Sequence, residues 1–69
     1  MKWENKCLNV WISGTTIKNN FYSCRITDTG DGVVLIIQKD ALMIVRETYK
    51  TSVDEVKKLA EIFLANLRK

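Results

Sequence analysis

Histidine is absent from the 69 residues, and several chemistries go with it. A serine or cysteine nucleophile would need some other base, and a structural zinc site would have to be built from cysteine alone. There are two cysteines, Cys7 and Cys24, with no second ligand pair, which argues against zinc. A disulfide between them requires neighbouring strands. Without a signal peptide, the pair reads as small buried hydrophobes in a reducing cytosol. Glycine is scarce as well: Gly14, Gly30 and Gly32 fall in turn or bulge contexts and none precedes a helix, so no phosphate-cradling loop is expected. No run approaches the roughly 20 apolar residues of a membrane span, and residues 1–6 lack the apolar core of a secretory signal. The expectation is a cytoplasmic protein that is not an enzyme and holds no cofactor or metal.

A chain this short forms one domain, spanning residues 1–69, with little apolar material for a core. Domains of this size usually need a staple. With zinc and a disulfide set aside, oligomerisation remains, and a homodimer is expected, the alternative being a strongly coiled sheet closed over by Trp3 and Trp11. The net charge of +3 is unevenly placed. Lys2, Lys6, Lys18 and Arg25 stand against Glu4 alone in residues 1–27, whereas seven basic and seven acidic residues cancel beyond them. Trp3, Trp11, Phe21 and Tyr22 share that basic third. Cations interleaved with aromatics suit single-stranded nucleic acid, because phosphates attract cations and bases stack on rings. The competing reading is that the aromatics fill a small β core and the lysines solubilise its rim.

The most informative stretch is 33–45. Val33–Ile37 and Ala41–Val45 are apolar runs of strand length, and Gln38-Lys39-Asp40 between them is short enough for a hairpin connection. Neither run alternates. Val33, Leu35 and Ile37 point one way and Val34 and Ile36 the other, with Leu42 and Ile44 likewise opposed to Met43 and Val45. Both faces of this central hairpin therefore need covering.

Upstream, alternation from Cys7 to Ile12 predicts a first strand. Ser13-Gly14 marks a turn or bulge before Thr15-Thr16-Ile17, leaving open one bent strand or two short ones. Asn19-Asn20 suits a hairpin turn. Phe21–Thr27 resumes a strand, with Tyr22, Cys24 and Ile26 on its more apolar side as the predicted core. Residues 28–32, Asp-Thr-Gly-Asp-Gly, form the clearest turn. They resemble a calcium loop only superficially, since Gly32 leads straight into Val33 instead of on to further oxygen ligands. A final helix is predicted over 53–67. Ser52 and Glu55 match a capping box, Asp54 and Glu55 oppose the dipole, and Arg68-Lys69 suit its far end. Val53, Val56, Leu59, Ala60, Phe63, Leu64 and Leu67 share one arc, while Ile62 falls among polar residues.

Residues 46–61, Arg-Glu-Thr-Tyr-Lys-Thr-Ser-Val-Asp-Glu-Val-Lys-Lys-Leu-Ala-Glu, resemble the ending of small bacterial and bacteriophage proteins in which a β-meander packs beneath one C-terminal helix. That resemblance implies a protein-binding role, such as a stoichiometric inhibitor of host machinery. In strand order alone, the chain is also similar to coactivator domains that bind single-stranded DNA. The expected fold is α+β: an antiparallel meander of four or five strands, within 7–49, with the 53–67 helix across one face. The expected function is a non-catalytic protein-binding module, with single-stranded nucleic-acid binding as the second reading. Trp3, Trp11, Phe21, Arg25 and Lys18 are the candidate contact residues.

Overall fold

The computed structural model describes all residues from Met1 to Lys69. Five strands run in sequence order as an antiparallel sheet: β1 (Glu4–Cys7), β2 (Val10–Ile17), β3 (Asn20–Asp28), β4 (Val33–Lys39) and β5 (Leu42–Tyr49). One helix, α1 (Val53–Leu67), closes the chain and packs on β3 and β4. The fold is thus α+β, with the meander and C-terminal helix expected. The strands differ in detail from their predicted bounds. The predicted first strand is interrupted by a turn at Leu8-Asn9, so that residues 4–7 form a separate edge strand that begins before residue 7. Alternation missed this because Leu8, placed as a strand residue, is the hairpin tip and is 94% exposed. Residues 10–17, by contrast, run straight through Gly14 as one strand.

Besides Leu8-Asn9, two hairpins close with two-residue turns: Lys18-Asn19, one position before the expected Asn19-Asn20, and Asp40-Ala41, at the end of the expected Gln38-Lys39-Asp40 connection. All four turn residues have positive φ, between 49° and 73°, the type I′ geometry whose twist matches that of the flanking strands. The 33–45 hairpin is not central. The strand order puts β3 in the middle and leaves β5 at the edge.

Register decides which apolar set the helix covers. Cys24 pairs with Ile37 and Ile26 with Leu35, so that Tyr22, Cys24, Ile26, Val33, Leu35 and Ile37 share one face. All six are buried, together with Ile17 from β2 and Val56, Ala60 and Leu64 from the helix. The side of β3 chosen from the sequence is therefore the core side. In β5 the pairing slips: Ile37 faces Val45 but Gln38 faces Met43, so Ile44 is the extra residue of a bulge. The slip overturns the strict alternation expected there, and Met43 and Val45 lie on opposite faces. Ser52 caps the helix, its Oγ accepting from the Glu55 N–H at 3.2 Å. At the other end, Arg68 reaches across to donate to Thr15 Oγ1 at 3.0 Å instead of turning back on the helix carbonyls.

Candidate binding face

A 15-residue helix is about 22 Å long and covers one side of the sheet. The other side is open. Its middle is a cross-strand row in which Glu4, Ile12, Arg25, Ile36 and Arg46 follow one another from β1 to β5. A neighbouring row of Val10, Thr27, Val34 and Thr48 lies beside it. The four aliphatic residues of these rows are half-buried. A groove of about 750 Å³ opens on this face, bounded by Lys2, Ile12, Phe21, Arg25, Ile36 and Gln38 among others.

Phe21 is the aromatic of this groove, 51% exposed yet held in place from two directions. Its backbone is pinned by the β4–β5 turn, where Asp40 N–H donates to Phe21 O at 2.8 Å and Asp40 Oδ1 accepts from Phe21 N–H at 3.1 Å. Its ring lies against Gly14, where an added Cβ would come within 2.6 Å of Phe21 Cζ. Gly14 thus gives the ring a seat on β2, which accounts for a glycine in the middle of a strand. Arg25 is exposed at the centre of the sheet. Neither it nor Arg46 has a carboxylate within ion-pair range; the chain's one ion pair joins Lys6 and Glu4 at 3.4 Å.

The other candidates lie elsewhere. Trp11 packs against the core on the helix side, under the Lys57 ammonium 5.4 Å from its ring centroid. Trp3 packs against the same core, and its Nε1–H donates to Glu61 Oε2 at 3.0 Å, although its edge also reaches the groove. Lys18 sits in the β2–β3 turn and donates to the Lys69 carbonyl at 2.9 Å. Of the five candidates, Phe21 and Arg25 share the open face, Trp3 touches its rim, and Trp11 and Lys18 do not contribute. Ile12, Ile36 and Arg46 were not singled out. Nothing in β2, β4 or β5 by itself shows that these residues align in one row with Arg25.

The face is net positive. Arg25, Arg46 and Lys6 against Glu4 give +2, and Lys2 stands at its rim, lining both the groove and the helix-side hollow beside Glu61 and Arg68. Cys7 and Cys24 are both free, on opposite faces of the sheet, and only Cys24 is the buried hydrophobe expected of both, since Cys7 lies exposed on the short edge strand β1. Burial pushes the Cys24 thiol up to about 11, the mark of an inert core residue. No group of three or more metal-ligating side chains comes together. In the 28–32 loop, the Asp28 carboxylate accepts from Gly30 N–H at 3.0 Å and the Asp31 carbonyl from Lys50, the bonding of a closed turn. No helix is long and apolar enough to cross a membrane. No family model, curated protein or solved structure matches this chain.

Proposed function

We propose that the chain is a non-catalytic protein-binding module that uses the open face of its sheet. The observation that supports this reading is the row Ile12–Arg25–Ile36–Arg46, with the seated Phe21 on the same face four residues along β3 from Arg25. Aromatic and arginine side chains that are exposed yet positioned are the residues that dominate interface energetics. Around them, half-buried aliphatic groups supply apolar area to be sealed from water. A stoichiometric inhibitor, the role implied by the resemblance to phage proteins, is a module of this kind. Single-stranded nucleic acid is the weaker reading. Five of the six aromatics, Trp3, Trp11, Tyr22, Tyr49 and Phe63, pack against the helix-side core, which leaves Phe21 as the one ring available for stacking.

Self-association has a different seat. β5 is an eight-residue edge strand whose first three residues, Leu42, Met43 and Ile44, are 68%, 50% and 40% exposed. Such an edge offers unpaired backbone groups to a second strand. We propose this edge as the seat of the homodimer expected from the chain's small size.

Affinity capture from a cell lysate with the unmodified chain, Arg25→Ala and Phe21→Ala tests the main reading. Loss of the same captured protein in both variants, with melting within a few degrees of the parent, is the expected result. Retention in both would reject the open face as the interface.

A further inference from the structure

The open face has a charge pattern as well as a shape, and the pattern constrains its occupant. Apolar and cationic side chains alternate along the row from Ile12 to Arg46. Neighbouring strands lie about 4.8 Å apart, so Arg25 and Arg46 stand on strands roughly 10 Å apart with Ile36 between them. Both guanidinium groups lack an internal counter-charge. A second copy docked face to face would bring +2 against +2, with the unpaired Arg25 and Arg46 of each copy opposed, an arrangement that like-charge repulsion disfavours. Nucleic acid would satisfy the cations, but it would set flat bases against branched aliphatic groups with a single ring to stack on. A peptide with carboxylates flanking aliphatic side chains satisfies both features at once. On a helix laid along the row, acidic residues seven positions apart are separated by about 10.5 Å, and an aliphatic residue one turn from each falls between them.

On this basis we infer that the open face binds an acidic, aliphatic segment of a partner protein, with carboxylates on Arg25 and Arg46 and an apolar side chain over Ile36. This rests on the binding-module reading and adds the chemistry of the partner. Arginine suits the role because its planar fork takes a carboxylate in a bidentate manner.

Amide-shift titrations of the isotopically labelled full chain test it. The probes are a helical peptide with Glu at positions i and i+7 and Leu at i+3 and i+4, the same peptide with Lys for Glu, and a thymidine homopolymer. The Glu peptide is expected to shift the amides of Ile12, Arg25, Ile36 and Arg46, and the Lys peptide to bind at least about tenfold more weakly. In Arg25→Glu the preference should narrow or reverse. Binding to the open face regardless of peptide charge would overturn the inference while leaving the module reading in place. Tighter binding of the homopolymer would replace it with nucleic acid. Open-face shifts that appear on concentration without any probe would assign the face to a second copy. Silence of the open face toward both peptides would overturn the inference, and the capture experiment with Arg25→Ala and Phe21→Ala would decide the module reading separately.

Discussion

Two residues show how a single side chain can be at odds with its surroundings. Ala41 occupies the second position of a type I′ turn at φ 73°, a region where a Cβ meets steric resistance of about 1–2 kcal/mol. Asp-Gly is the pair this turn favours, and Asp40 already supplies the first half. Ala41→Gly relieves the clash and gives back part of the gain through the freer unfolded chain. The expected net stabilisation is about 1 kcal/mol, read as a rise in Tm of about 4–8 °C. Cys24 is the second. Its thiol is buried on the helix side and is pushed from 9.0 to about 11. Below pH 9 the thiol is neutral in both folded and unfolded chains. Between 9 and 11 the unfolded chain loses the proton and the folded chain keeps it, so stability falls as pH rises, by up to about 1.4 kcal/mol per unit. Denaturant titrations across that window should show this slope, and Cys24→Ala should reduce it even if it lowers stability at neutral pH by leaving a small cavity. A slope unchanged in the variant would assign the pH dependence to other groups.

Among the elements, the two sheet edges contrast. β1 is four residues long, bulged between Asn5 and Cys7, and carries the Glu4–Lys6 ion pair, all features that blunt an edge. β5 is twice as long and starts with an exposed apolar triplet, protected only by the bulge at Ile44 and the charges of Arg46 and Glu47. Pairing through β5 would leave both open faces free for another partner. Sedimentation over a range of concentrations should show a species heavier than 8.0 kDa, and Ile44→Lys should return it to the monomer without loss of fold, since Ile44 lies outside the core. Monomer at every concentration would rule out the edge dimer. The helix, by contrast, lays most of its apolar arc on the sheet, although Leu59, expected in that arc, sits at its margin and is 40% exposed. Val56, Ala60 and Leu64 are buried and Ile62 is exposed, as its placement among polar residues implies.

At the scale of the whole molecule, the sheet is a divider. Helix, tryptophans and tyrosines gather on one side, and the unpaired Arg25 and Arg46 stand on the other. With ten buried residues the chain has one small core, and the aliphatic groups of the open face are shielded by their cross-strand neighbours without being fully enclosed. The open face thus follows from a chain that has enough apolar residues for two sheet faces but only one helix to cover them.

Some of this was fixed locally and could be read in order along the chain. The helix limits at 53 and 67 and the Ser52 cap depend on hydrogen bonds within one turn and on a 3.6-residue period. The core side of β3 followed from one strand's alternation, because Tyr22, Cys24 and Ile26 outweigh Phe21, Ser23 and Arg25 in apolar character. In β4 both faces are apolar, so alternation could not choose between Val33, Leu35, Ile37 and Val34, Ile36. Pairing with β3 chose, because Ile26 must lie opposite Leu35 for their side chains to share the helix side. The tertiary structure likewise sent Trp3 and Trp11 to the helix side and divided Met43 from Val45. Those outcomes depend on which residues face one another across strands, and a one-residue change in register moves a side chain to the opposite face.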